Sequence, residues 1–135
     1  MNVKERFLKY ISVDTTSDPS SETFPSTKSQ LAFAADLEAE MKEMGLAEVS
    51  LDQYGYVFGT IPSTIPDYQG KILGFIAHMD TSSAASGANI SPRLIENYDG
   101  KDLKLADSGR TLEVSVFPHL PSLAGRTLIT SDGTT

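Results

Sequence analysis

A histidine and an aspartate stand two residues apart at the point where an apolar run ends. The run "ILGFIA" occupies residues 72–77, and His78, Met79 and Asp80 follow it directly. An imidazole nitrogen can bind a divalent metal ion, and zinc accepts nitrogen and carboxylate ligands. In an extended chain Asp80 points to the same side as His78, so its carboxylate can accept the other ring N–H and fix the tautomer. The spacing therefore permits a zinc site with His78 as the ligand and Asp80 as its support.

The same spacing also fits a purely structural histidine. The chain has two histidines, and an aspartate two positions after one of them is a frequent coincidence. Residue types alone leave both interpretations open. The second histidine, His119 in "FPHLPSL", has prolines on both sides and no neighbouring carboxylate, so we expect it to lie in a loop.

The apolar run is the element that must position His78. Its residues do not alternate with polar ones, which predicts a strand over residues 72–78 that is covered on both faces. Ligands of open α/β sheets bind in the crevice beyond the carboxyl ends of the strands, and His78 falls at such an end. This location favours a metal site slightly and does not decide between the two interpretations.

Two helices and several short strands complete the predicted architecture. Apolar spacing predicts a helix over residues 3–12 and a second one from Thr27, with Gln30 in its capping box, to Gly45. Short strands are predicted for "AEVSLD", "GYVFGTI", "TLEVSVF" and "GRTLITSDGTT". Residues 81–109 are weakly periodic and form either a functional loop or a set of short excursions. We therefore expect a layered α/β fold in which helices pack on a mixed β-sheet.

The bulk composition limits the partners of the chain. Its 135 residues suffice for one domain, and the net charge of -7 repels phosphate backbones and anionic lipids, so neither nucleic acid nor membrane is an expected partner. Cysteine is missing, which excludes disulfides and thiolate metal sites. The start, "MNVKERFLKYISVD", carries charges among its apolar residues and does not resemble a signal peptide, so we expect a cytoplasmic protein.

Five segments of the chain resemble the peptidase T family. They are "ERFLKYISVDTTSDP", "EMGLAEVSLDQYGYVFGTIP", "GFIAHMDTS", "IENYDGKDL" and "LAGRTLITSDGTT". The match runs in order through essentially the whole chain. "AHMDTS" is shared with a wider group, whereas "IENYDGKDL" and "RTLITSDGTT" are specific to this family. Its members are cytoplasmic tripeptide aminopeptidases among the dinuclear zinc peptidases related to aminoacylases and glutamate carboxypeptidase.

The resemblance implies roles for both residues of the opening motif. His78 corresponds to a ligand of one of two zinc ions, and Asp80 corresponds to the catalytic-site aspartate that supports this histidine. The other ligands, the general-base glutamate and a smaller inserted domain lie beyond Thr135 in the family pattern. Residues 1–135 are then the N-terminal portion of a catalytic domain, inactive alone, and the full-length protein acts on tripeptides. The sequence leaves room for a homo-oligomer of the full-length protein.

The end of the chain also predicts an incomplete domain. Asp132 and Gly133 give a strong hairpin-turn signal, and only Thr134 and Thr135 remain to form the returning strand. Two alternative functions stay open at this point. One is a related zinc carboxypeptidase or deacylase, since substrate specificity depends on residues outside this sequence. The other is a stand-alone, non-catalytic domain.

Overall fold

The computed structural model describes residues 1–133. In that range the helices are α1 (Val3–Ile11) and α2 (Lys28–Glu43), with short 3-10 helices at Ala106–Ser108 and Leu120–Leu123. The strands are β1 (Ala47–Leu51), β2 (Val57–Thr60), β3 (Arg93–Ile95), β4 (Leu103–Leu105), β5 (Arg110–Leu112) and β6 (Leu128–Thr130). Neither helix in this range has the length and apolar character needed to cross a membrane. The mixture of helices and strands confirms the α/β class.

Within residues 1–133 the strands pair as three separate, two-stranded antiparallel sheets. β1 pairs with β2, β3 pairs with β6, and β4 pairs with β5. The described residues therefore contain no single mixed sheet of the kind expected from the sequence. The chain divides instead into two compact units, residues 13–83 and the combination of residues 1–12 with residues 84–133.

The unit of residues 13–83 is built on contacts between α2 and the β1–β2 hairpin. Phe33 and Ala34 on α2 are buried, with 5% and 0% of their surface exposed. Gly59 in β2 permits this close packing, because a Cβ atom there would lie 2.9 Å from a side-chain methyl group of Leu46. α2 begins after Thr27, as predicted, and Gly45 follows its end with a positive φ of 81°.

The other unit contains a small core of its own. Tyr98, Leu103 and Leu120 are buried together, and partly buried side chains from β3, β5 and β6 pack around them. β3 and β4 lie within residues 81–109, so this segment consists of short excursions rather than one long loop. His119 is exposed at the start of a 3-10 helix, with its ring edge-on to Phe117, which confirms its placement in a loop.

The predicted strand over residues 72–78 is wrong. Residues 71–80 form neither helix nor strand, and Ile72, Phe75 and Ile76 are 97%, 89% and 101% exposed. A strand needs a hydrogen-bonded neighbour, and a continuous apolar run needs cover on both faces. Among residues 1–133 no strand pairs with this run, so neither requirement is met.

The strand predicted for "TLEVSVF" ends earlier than expected. β5 stops at Leu112, and the Val114 N–H is taken by the side chain of Asp102 at 2.8 Å instead of by a ladder partner. The Phe117 N–H then donates to the Glu113 carbonyl at 2.8 Å, which closes a turn. The predicted last strand is present as β6 and pairs with β3. The returning residues of the predicted hairpin, Thr134 and Thr135, lie outside the described residues.

Candidate functional site

His78 and Asp80 contact each other as their spacing predicts. His78 Nδ1 lies 3.0 Å from Asp80 Oδ1 and 2.8 Å from the Asp80 backbone carbonyl oxygen. Both oxygens can only accept from the ring, so Nδ1 carries the hydrogen and donates it. The lone pair is then on Nε2, and the His78 side chain is 84% exposed. The imidazole therefore presents a nitrogen with an available lone pair to the solvent.

The second oxygen of the Asp80 carboxylate is held by a different part of the chain. Ser17 donates its hydroxyl hydrogen to Asp80 Oδ2 at 2.6 Å. This hydrogen bond holds the pKa of the Asp80 carboxyl below its ordinary value; partial burial opposes the shift, and His78 lowers the pKa further. Asp80 is consequently an ionised acceptor, with the His78 ring on Oδ1 and the Ser17 hydroxyl on Oδ2.

Backbone hydrogen bonds fix Ser17 beside Asp80. The Ser17 N–H donates to the Thr81 carbonyl at 2.9 Å, and the Thr81 N–H donates to the Thr15 carbonyl at 3.2 Å. Residues 15–17 thus run parallel to the chain at Thr81 as an isolated bridge. Thr15 is buried, at 3% exposed, so this contact is anchored inside the unit of residues 13–83.

Gln30 connects the first turn of α2 to the same place. Its side chain is buried, and Nε2 donates to the Thr15 carbonyl at 3.1 Å and to Ser17 Oγ at 3.4 Å. The other end of the amide, Oε1, accepts the Thr27 N–H at 3.4 Å in the predicted capping box. The residue that caps α2 therefore also contacts the loop that holds Asp80.

The sequence predicts one half of this arrangement and does not predict the other. The pair His78 and Asp80 was visible because its members are two residues apart. Ser17 and Asp80 are 63 residues apart, and nothing in the loop sequence singles out Ser17 among its serine and threonine neighbours. Gln30 gave a signal, its capping-box position, but that signal predicts only the oxygen end of the amide.

The described residues fit one ligand position of a zinc site. A catalytic zinc ion takes three protein ligands and one water molecule. Residues 1–133 contain no group of three histidine, cysteine, aspartate or glutamate side chains placed to hold a metal ion. His78 can offer Nε2, and Asp80 orients the ring from the opposite nitrogen, which is the arrangement typical of a metal-ligating histidine.

Comparison with known proteins finds relatives that are named as peptidases. No family model matches the chain. The curated relatives it matches are named peptidase T, and the protein of Halothermothrix orenii is 52% identical over 134 residues, which are 98% of this chain and 33% of that protein. The Caldanaerobacter subterraneus protein is also 52% identical, over 98% of this chain and 32% of its own length. The Clostridium perfringens protein is 49% identical over 133 residues, 98% of this chain and 32% of its own length.

These similarities confirm the resemblance to peptidase T that the sequence segments indicate. They extend over nearly the whole of this chain. The chain spans about a third of the length of the curated relatives it matches.

Proposed function

We propose that this chain contributes to a zinc-dependent peptidase that removes the N-terminal residue of tripeptides. The observation that carries the proposal is the contact between His78 Nδ1 and Asp80 Oδ1, which leaves Nε2 free for a metal ion. The names of relatives that are about half identical to this chain support a peptidase. Peptide substrates also suit the acidic chain better than nucleic acid or anionic membrane does.

In this proposal His78 holds one of two zinc ions through Nε2. Zinc, when bound, acts as a Lewis acid that polarises the carbonyl group of the peptide to be cleaved. Asp80 keeps the hydrogen on Nδ1 and stabilises the ring by its negative charge, since the pKa of its carboxyl is lowered by the Ser17 hydroxyl. The remaining ligands and the general base belong, in our proposal, to the part of the relatives that this chain does not span.

Three further expectations belong to the same proposal. Residues 1–135 form a portion of one catalytic domain, which a second domain complements. The protein works in the cytoplasm, as the family resemblance implies, and its full-length form can assemble as a homo-oligomer. The chain alone hydrolyses no tripeptide and binds zinc only weakly. His78 offers one strong ligand, and the Asp80 carboxylate accepts a hydrogen bond from the His78 ring and does not bind the metal ion.

A chimaera tests the proposal directly. This chain would replace the corresponding third of the Halothermothrix orenii peptidase T, to which it is 52% identical. We expect the chimaera to hydrolyse trialanine and the His78→Ala chimaera to show no turnover. His119→Ala is the matched control, because His119 lies in the other unit and we expect its activity to equal that of the parent. Equal turnover in the His78→Ala and His119→Ala chimaeras would contradict the proposal.

Asp80→Ala in the same chimaera separates support of the ring from direct metal binding. We expect activity to fall about 10–100-fold, the usual effect of removing the partner of a metal-ligating histidine, while more zinc is retained than in His78→Ala. The same zinc loss in both variants would show that Asp80 binds metal itself. Trialanine with an acetylated N-terminus tests the alternative chemistry, since rapid hydrolysis of that peptide would favour a carboxypeptidase or deacylase.

A further inference from the structure

We propose that Ser17, which accepts a hydrogen bond from Gln30, is a positioning residue. It sets the tautomer and orientation of His78 through Asp80. The inference rests on the proposed function for its purpose, because a fixed Nδ1–H tautomer matters only if Nε2 binds a metal ion. Its physical basis is independent of any metal, since it consists of hydrogen bonds among residues of this chain.

The direction of every hydrogen bond in this series is determined by its chemistry. The Thr15 carbonyl can only accept, so the amide atom that faces it is Gln30 Nε2, a donor. The Asp80 carboxylate is an acceptor, so Ser17 donates its single hydroxyl hydrogen to Oδ2. The Ser17 oxygen is then an acceptor for Gln30 Nε2 at 3.4 Å. Gln30 on α2 therefore donates to Ser17, and Ser17 donates to one oxygen of Asp80. His78 donates to the other oxygen of the same carboxylate.

Asp80 needs this second donor because its own segment does not hold it. Residues 71–80 form no regular secondary structure, and 47% of the Asp80 side chain is exposed. A carboxylate with only His78 as a donor could rotate toward water and take other partners. With Ser17 on Oδ2, Oδ1 stays directed at Nδ1, and the carboxylate shares the Nδ1 hydrogen with the Asp80 backbone carbonyl oxygen, which lies 2.8 Å from Nδ1. Ser17 itself is fixed by its backbone contact with Thr81.

The same loop offers a matched control. Ser20 donates its hydroxyl to Asp18 Oδ1 at 2.7 Å, so it is also a serine bonded to an aspartate in an exposed part of the chain. Asp18 is not bonded to His78 in any of the described contacts of the ring. Ser20→Ala therefore removes a hydrogen bond of the same type without touching the proposed series.

Nitrogen-15 NMR of the imidazole measures the predicted effect without metal. The experiment uses the full chain with His119→Gln, so that His78 gives the only histidine signals. We expect Nδ1–H to be the major tautomer in this background. Its share should fall by roughly twofold or more in Ser17→Ala, stay unchanged in Ser20→Ala, and be restored by Ser17→Thr, which keeps the hydroxyl. Gln30→Glu should lower it to a lesser extent, because it removes the donor to Ser17.

An unchanged tautomer ratio in a folded Ser17→Ala chain would overturn the inference. So would Nε2–H as the major form in the chain with serine at position 17, a result that needs no destabilising variant. If circular dichroism shows that Ser17→Ala does not fold, the comparison of Ser17→Thr with Ser17→Val replaces it, since these side chains have similar volumes and differ in the hydroxyl group.

Titration with zinc distinguishes this inference from the proposed function. We expect zinc to shift the Nε2 signal of His78, with an apparent affinity about tenfold weaker in Ser17→Ala than in Ser20→Ala. A tautomer that depends on Ser17, together with an Nε2 signal that zinc does not move, would support the positioning role and contradict the zinc site. An equal zinc affinity in both variants would contradict the positioning role.

Discussion

The two parts of the stretch from Ile72 to Thr81 are held in different ways. Residues 72–77 are apolar, exposed and without a strand partner among residues 1–133. The four residues that follow, from His78 to Thr81, are polar at three positions. Asp80 bonds to Ser17 through its side chain, and Thr81 bonds to Thr15 and Ser17 through its backbone. The apolar run has the composition of a buried segment but is exposed among residues 1–133, whereas the polar residues at its end are held by hydrogen bonds to a neighbouring loop.

The difference shows which interactions need distant partners. An apolar side chain stabilises a fold by about 25 cal/mol for each Å² removed from water, and a fully exposed residue such as Ile76 removes none. Hydrogen bonds contribute about 0.5–1.5 kcal/mol each, and several of them act together around Asp80. The polar end can therefore be ordered by one neighbouring loop, while the apolar run requires whole elements on both of its faces.

The largest expected contrast is between two phenylalanines of the same unit. Phe33 is 5% exposed and Phe75 is 89% exposed. We expect Phe33→Ala to lower the free energy of unfolding by about 3–5 kcal/mol, because it removes a buried ring. Phe75→Ala should change the same quantity by less than about 0.5 kcal/mol. Urea unfolding followed by circular dichroism measures both, and a loss of several kcal/mol in Phe75→Ala would show that the apolar run is covered.

A smaller effect is expected from the buried amide that links α2 to the polar end. Gln30→Leu leaves the Thr27 N–H and the Ser17 hydroxyl oxygen without their partner, which should cost about 1–3 kcal/mol in the free energy of unfolding. Gln69→Leu is the control, because Gln69 is exposed and its replacement should have little effect. Equal urea midpoints for the two variants would mean that Gln30 contributes no net stability.

The smallest effect concerns the aspartate outside the site. Hydrogen bonds from the Ser20 hydroxyl and the Ser20 N–H lower the pKa of Asp18. A carboxyl whose pKa is lower in the folded state stabilises that state above its ordinary pKa, and this contribution is lost as the pH falls through the folded value. Ser20→Ala should move the pKa of Asp18 up toward its ordinary value, as measured by NMR titration. A pKa that stays the same would show that the backbone N–H suffices.

Local patterns in the sequence were enough for the elements that are stabilised locally. The capping box of Thr27 and Gln30 and the positive φ at Gly45 mark both ends of α2 correctly. The β1–β2 hairpin follows from two short apolar segments and a turn at Gly55, whose φ is 85°. The contact between His78 and Asp80 is also local, so their spacing alone predicted it.

The features that were predicted wrongly or not predicted depend on partners distant in the sequence. Residues 72–78 have the composition of a covered strand, but no neighbouring strand among residues 1–133 pairs with them. Ser17 could not be recognised because its acceptor, Asp80, is 63 residues away. β3 was not predicted, since its three residues gain their stability from pairing with β6 and have no periodic pattern of their own.

Zinc content is the most direct measure of whether His78 presents Nε2 to a metal ion. It should be determined for the purified chimaera with the Halothermothrix orenii peptidase T, in parallel with its His78→Ala and His119→Ala variants. We predict that His78→Ala loses one zinc equivalent for each chain and that His119→Ala loses none. Full zinc occupancy in a folded His78→Ala chimaera would contradict the assignment of this histidine.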